Sequence, residues 1–262
     1  MLFSIVTFNL LNKPSRWHER RELVLAGLRA LNADVIALQE VALPNNNARW
    51  LADQLGGYTV HTSPKTGALA EHEAVALLSR LPVEDCRTLP LGSQSRVAQV
   101  ANVRVGKRVI TIANGHFMFH VYDHMKRTQQ VQRVLTWLRL AAGQNPIVAC
   151  GDFNATPDMR TIQVMKETFT SAHEAFHGRE PDFTCPTPLV YSLDGVRKGL
   201  SRVGNFLLSR RVEPWRGTLD YIFVDGNFRV LKCDVTLNQP SPRDPTLYPS
   251  DHVGLCATLD VE

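Results

Sequence analysis

Hydrophobic positions along the chain alternate between two periods. Short β-branched runs of strand length occur at "LFSIVTFN" (2–9), "ADVIALQE" (33–40), "YTVHTS" (58–63), "EAVALLS" (73–79), "RVAQVANVRV" (96–105) and "KRVITIAN" (107–114). The last two meet at a tight Gly106-Lys107 turn. Helical spacing appears at 15–32, where Leu23, Val24, Gly27, Leu28 and Leu31 share a face and Ser15 is the expected N-cap. It returns in the short segment "NNNARWLADQLGG", closed by Gly56-Gly57, and from Asp123 to Ala142, with Asp123 as N-cap and Val131, Val134, Leu135 and Leu138 as the apolar stripe. The second half repeats the rhythm, with strands at 146–151, 218–224, 229–237 and 254–261 and a helix at 158–169. Two strand-rich halves with a few helices predict an α/β fold of two facing sheets with helices outside, in one domain over 1–262.

Composition agrees with a packed globular chain: 44% hydrophobic and 21% charged. No run approaches a membrane span, and the N-terminal apolar segment has no basic flank, so it reads as a first strand rather than a signal peptide. Cys86, Cys150, Cys185, Cys233 and Cys256 are odd in number and scattered, with no C-x-x-C pair, which points to reduced thiols and a cytoplasmic setting. Cys150 falls in the core of its strand. The net charge of +4 is concentrated in 189–216, where Arg197, Lys198, Arg202, Arg210, Arg211 and Arg216 face two acids, Asp194 and Glu213. This basic loop insertion is read either as a solvated loop or as an attractor of polyanions.

"NGHFMFHVYDH" (114–124) spaces His116, His120 and His124 four apart, the pattern of a helical zinc site. The strand "RVITIAN" runs directly into Gly115-His116, however, and the helix begins only near Asp123. The three histidines therefore belong to a strand end, a loop and a first helical turn. Polar residues recur at such strand ends: Asn9, Glu40, Asn114 and His116, Asp152 and Asn154, Asp220, then Asp251 and His252. Each singly fits a turn. Glu40 is different, because a carboxylate directly after "DVIALQ" is drawn toward the core and needs a partner or a cation. Asp220 and Asp251-His252 suggest an acid orienting an imidazole that works as a base near neutral pH. A serine triad from Ser250, Asp251 and His252 fails, since three consecutive residues cannot converge and no G-x-S-x-G elbow exists.

Six blocks in order, "TFNLLN" (7–12), "LQE" (38–40), "NGH" (114–116), "GDFN" (151–154), "LDYIF" (219–223) and "SDH" (250–252), resemble the endonuclease/exonuclease/phosphatase family over nearly the whole chain. The resemblance implies a four-layer αββα sandwich with two mostly antiparallel central sheets, and divalent-metal-dependent hydrolysis of a phosphoester. It implies Glu40 as principal metal ligand, with Asn9 and Asp251 assisting. Oxygen ligands suit Mg²⁺, with Mn²⁺ as a substitute. Asp152 and Asn154 would hold the attacking water and a phosphate oxygen, and His252, oriented by Asp220, would take a proton or stabilise charge at phosphorus. The resemblance leaves open whether Asp152 or His252 is the base. His116 and Asn114 would contact phosphate, and Arg127 with Gln130 matches a weaker supporting pattern. Gly115 stands where the family usually has Thr, which removes a hydroxyl and is expected to loosen the turn. "FNLLN" departs from the abasic-site branch and no "P-x-W-C-D-R" of the inositol phosphatase branch exists, so deadenylase-like and miscellaneous bacterial members are the nearest in pattern.

The first expectation is thus a phosphodiesterase or nuclease cleaving nucleic acid, monomeric, with Arg197 and Arg202 of the basic loop assisting substrate binding. The second is the same chemistry on a small phosphoester or phospholipid head group, for which Tyr191, Phe206 and Trp215 would suit peripheral contact with lipid. The third is a non-catalytic nucleic-acid binder, disfavoured by intact Glu40 and His252.

Overall fold

The computed structural model describes residues 1–13, 16–120, 123–190 and 215–261. Strand β1 (Leu2–Asn9) is followed by helix α1 (Trp17–Leu31), β2 (Val35–Ala42), α2 (Asn47–Leu55), β3 (Thr59–Pro64), β4 (Glu73–Ser79), β5 (Val83–Pro90), β6 (Val97–Val105) and β7 (Arg108–His116). Helix α3 (His124–Ala142), β8 (Ile147–Asp152), α4 (Arg160–Lys166), β9 (Thr170–Ser171), α5 (Ala172–His177), β10 (Asp220–Val224), β11 (Phe228–Thr236) and β12 (Gly254–Val261) complete the order. One six-stranded sheet runs β11-β12-β1-β2-β4-β3 and the other β5-β6-β7-β8-β10-β9. Each has one parallel pair, β1 with β2 and β7 with β8, and is otherwise antiparallel.

Alternation within each strand builds three apolar layers. In β1, Phe3 and Ile5 face the second sheet, where they meet Val103, Ile110, Ile112, Val148 and Ile222, while Val6 and Phe8 face α1 and α2 through Val24, Leu28 and Leu51. Ala113, Ala149, Tyr221 and Phe223 of the second sheet pack on Val131, Val134 and Leu138 of α3. Both faces of the central strands are thereby removed from water, which is why their sequences read as continuous apolar runs. This is the four-layer sandwich expected from the sequence, with Cys150 in its core.

Local departures have identifiable causes. Strand β5, "VEDCRTLP", was not predicted: it lies at a sheet edge, half exposed, and carries the charges with which edges resist further pairing. Helix α5 and strand β9 are too short to show a period. Helix α4 covers Arg160–Lys166, shorter at both ends than the predicted 158–169. Ser15 lies outside the described residues, and Arg16, in a left-handed conformation, occupies the α1 N-cap. Asp123 does precede α3, but it makes no capping bond and its carboxylate accepts from Lys126 Nζ at 2.8 Å. Among the described residues no helix is long and apolar enough to cross a membrane.

Candidate active site

The carboxyl ends of the two parallel pairs meet across the sandwich, and this places the strand-end polar residues on one rim. In register, Asn9 pairs with Gln39 and His116 with Asp152. Asp220, the first residue of β10, lies opposite Asp152. Beneath the rim, Asn114 joins the sheets: its Nδ2 donates to the carbonyls of Leu38 and Ala76 at 3.0 Å each, and its Oδ1 accepts from Gln39 Nε2 at 2.8 Å. Both amide hydrogens of Asn114 and one acceptor position of its oxygen are therefore spent on protein partners below the site, away from the phosphate contact expected of it.

Glu40 reaches the rim through a break in β2. Leu38 and Val41 both pack toward the helices, and the register of β2 on β4 shifts between them. Glu40 sits in this bulge at φ 53°, a conformation a non-glycine residue rarely adopts. Strict alternation would send its side chain into the helix layer, and the bulge turns it to the rim instead. Its Oε2 accepts from the Asn12 N–H at 2.7 Å, and its Oε1 lies 3.9 Å from His116 Nε2. Burial, then the like charges of Glu73 and Asp251, push the Glu40 carboxyl above its usual range.

Asp152 occupies the centre. Asn9 Nδ2 donates to its Oδ2 at 3.0 Å, and the Asn154 N–H donates to its Oδ1 at 2.8 Å. His116 Nε2 and His252 Nε2 approach Oδ2 to 3.5 and 4.0 Å. Burial, and after it the Asp220 charge, raise the Asp152 carboxyl. His252 Nδ1 lies 2.8 Å from Asp220 Oδ2, so Asp220 orients the ring as the sequence suggested. Burial by itself would depress this imidazole, but Asp220 and then Cys185 hold it well above its usual range. His116 moves the opposite way, lowered by burial, then by Arg96 and Lys65. The two histidines flanking Asp152 thus have opposite protonation tendencies, His252 toward the charged and His116 toward the neutral form.

Asp251 is half-buried beside the rim and accepts from Ser250 Oγ at 3.1 Å. Asn154, at φ 49°, donates its side-chain amide to the Phe117 carbonyl at 3.1 Å. The side chain of Arg127 is committed elsewhere: it donates to the Met118 and His120 carbonyls at 2.7 and 2.9 Å, bracing the loop after β7. Gln130 accepts from the Met118 N–H in the same loop. Arg197 and Arg202 lie outside the described residues, as do Tyr191 and Phe206. His116 ends β7 and His124 opens α3, so the histidine triplet shares no helix face. Gly115 lies in β7 rather than in a turn, and a side chain there would meet the Phe117 ring at 2.6 Å. Its exchange for the usual Thr makes room for that ring and loosens nothing.

Several contributing residues carried no signal in the sequence. Arg20 reads as a polar position of α1, yet it is fully buried and donates to the carbonyls of Leu10, Leu11, Lys13 and Pro249, tying together the loops beside Asn9 and Asp251. Lys65, Glu73 and Arg96 form a buried charged group against His116. Each is distant from the recognisable blocks and only tertiary contact reveals it.

The donor chemistry fits a hard cation. Glu40 and Asp251 bring negative charge together, the second lone pair of Asn9 Oδ1 remains beside the Leu11 N–H bond, and oxygen donors of this kind suit Mg²⁺ or Ca²⁺ better than a soft metal. Asp152, Asp220 and His252 also converge, with ligand-capable atoms within 4.8 Å of one another.

Comparison with known proteins bears on this arrangement. The mouse 2',5'-phosphodiesterase 12 is 24% identical over 282 residues, covering 92% of this chain and 45% of its own length, so the chain spans about half of that relative. The human Nocturnin catalytic domain with bound sulfate superposes with a TM-score of 0.76 at 21% identity, covering 100% of this chain and 94% of the other. TDP2 from D. rerio complexed with single-strand DNA product gives 0.77 at 15% identity, covering 99% of each chain. The model of the Endonuclease/Exonuclease/phosphatase family matches residues 6–252. That match starts within β1 and ends at His252, so it takes in every residue gathered at the rim, and the chain belongs to the Endonuclease/Exonuclease/phosphatase family.

Proposed function

We propose that the chain is a Mg²⁺-dependent phosphodiesterase that cleaves single-stranded nucleic acid by attack of water on phosphorus. The observation that carries this reading is the convergence on Asp152 of Asn9 from one sheet, of His116 from the other, and of the Asp220–His252 pair, which joins β10 of the second sheet to the approach of β12 in the first. Relatives named as a 2',5'-phosphodiesterase and as a protein complexed with single-strand DNA product support nucleic acid as the substrate class. A reducing, cytoplasmic setting suits five cysteines of which none is bridged.

Glu40, Asn9 and Asp251 would hold the cation, which when bound neutralises charge on a phosphate oxygen and so lets an anionic substrate accept a nucleophile. The protein's own groups divide the remaining work. Asp152 is the base: a carboxyl raised by burial is a stronger proton acceptor than a solvated one, and Asn9 and Asn154 hold its orientation. His252, kept charged by Asp220, donates toward the oxygens that gain charge at phosphorus. His116 contributes from the opposite side of Asp152.

The test is cleavage of end-labelled single-stranded oligonucleotides, with 3′,5′ and 2′,5′ linkages in separate arms, by the wild type and by Asp152→Asn and His252→Ala in Mg²⁺. Wild-type cleavage reduced roughly 10²- to 10⁴-fold in each variant is expected. Undiminished cleavage in both variants would overturn the mechanism. Hydrolysis confined to small phosphoesters would overturn the substrate assignment.

A further inference from the structure

Behind His116, on the side away from Asp152, three charged side chains are packed together with little access to solvent. Lys65 Nζ lies 2.5 Å from Glu73 Oε1, and Arg96 Nη1 approaches the same oxygen at 3.4 Å. The same Arg96 Nη1 lies 2.6 Å from His116 Nδ1. Arg96 is 5% exposed and His116 2%, so water does not mediate between them.

This contact dictates where the imidazole proton resides. A guanidinium offers donors and no acceptor, and it does not give up its proton in a protein. At 2.6 Å, Nδ1 must therefore accept, and a neutral ring whose Nδ1 accepts carries its hydrogen on Nε2. The competing arrangement has Nδ1–H donating to Glu73. It fails on distance, because Glu73 Oε1 is 3.6 Å from Nδ1, and it would direct two N–H groups at one another across 2.6 Å. Glu73 is in any case shared by two cations, Lys65 and Arg96.

We propose that Arg96 is a positioning residue that locks His116 in its Nε2–H form, so that His116 presents a neutral hydrogen-bond donor to a phosphate oxygen and cannot act as a base. Nε2 faces the rim, with Asp152 Oδ2 at 3.5 Å and Glu40 Oε1 at 3.9 Å, both too far to consume the donor. A phosphate oxygen entering between these carboxylates would take the bond. The lock removes one of three possible proton acceptors from the rim and leaves Asp152 and His252 to divide acid and base work. The tautomer itself follows from the contact with Arg96 alone, whereas its use on phosphate rests on the phosphodiesterase reading.

The experiment is a long-range ¹H–¹⁵N correlation spectrum of the full chain labelled at its histidine ring nitrogens, with the His116 signals assigned by their loss in His116→Gln. A protonated Nε2 and an unprotonated Nδ1 are expected in the wild type. A protonated Nδ1 overturns the proposal, whether or not the chain hydrolyses any phosphoester. Kinetics then test the use. Arg96→Met should mix the two tautomers and lower kcat roughly 10- to 100-fold with KM changed less than about 3-fold, and Arg96→Lys, which still donates, should recover most of the spectrum and part of the rate. Wild-type kcat in Arg96→Met, or a loss in KM alone, overturns the positioning role. If Arg96→Met does not fold, the wild-type spectrum and Arg96→Lys still decide. A chain with the expected tautomer and no phosphoesterase activity sinks the functional reading and leaves the lock standing.

Discussion

At the scale of the residue, the pair Asp220–His252 shows how one carboxylate sets the behaviour of another group. Asp220 is fully buried and spends Oδ2 on His252 Nδ1, which keeps the ring turned with Nε2 toward Asp152. Asp220→Asn preserves the shape and removes the charge that raises His252. Because a raised imidazole stays protonated to higher pH, removing that charge brings its deprotonation to lower pH. The alkaline limb of the rate profile should move down accordingly, and kcat should fall roughly 10²- to 10⁴-fold, as when a triad aspartate is neutralised elsewhere. A pH–rate profile on oligonucleotide reads both, and an unmoved alkaline limb would show that His252 does not act as the charged partner. Asp220 and His252 were legible in the sequence as an acid and an imidazole at strand ends. Arg20 and Arg96 were not, since a buried arginine whose partners are main-chain carbonyls or a distant ring is written no differently from a solvated one.

Elements explain why the rim is where it is. Strands β7 and β8 approach so closely that a Cβ on Gly151 would stand 2.0 Å from the Gly115 carbonyl oxygen, and Gly151 also has φ +134°, accessible essentially to glycine alone. Gly151→Ala is expected to destabilise the fold by at least about 3 kcal/mol, combining backbone strain with a contact that cannot relax without separating two central strands. Gly226→Ala, where nothing lies within 4 Å, is the matched control and should change little. Urea midpoints of the two variants give the comparison, and a Gly151→Ala midpoint equal to that of wild type would show that the strands can part at little cost. Interior strands and the long amphipathic helices were readable from period alone. The edge strand β5 was hidden by Glu84, Asp85 and Arg87, and the bulge at Glu40 was hidden because a register shift depends on the partner strand.

The whole molecule brings like charges together in a way that links stability to pH and cation. Glu40 and Asp152 are both raised in the folded chain, chiefly by burial, relative to unfolded carboxyls that titrate near 4. The folded state therefore binds these protons more tightly. Their stabilising contribution is present below the unfolded value and is lost as pH rises through the raised folded values. Without added cation, thermal stability should decline over that interval, and a divalent ion held at Glu40 should offset part of the decline. The gain in Tm from saturating Mg²⁺ is thus expected to be larger at pH 8 than at pH 5, and to vanish largely in Glu40→Gln. Equal gains at both pH values, or an undiminished gain in Glu40→Gln, would place the ion elsewhere.

The order of the interior strands and longer helices, the two-faced burial of the central strands and the set of strand-end polar residues were determined by the sequence, because each depends on neighbours along the chain. The family's blocks stand in linear order for the same reason. What the tertiary structure decided is how distant segments act on one another: Asn114 joining two sheets, a bulge re-aiming Glu40, four carbonyls closing on Arg20, and Arg96 choosing the proton position of His116. These effects come from burial and short-range contact between residues tens to hundreds of positions apart. Local pattern carries no record of them, since a side chain's charge state and hydrogen-bond partners are properties of the space it is folded into.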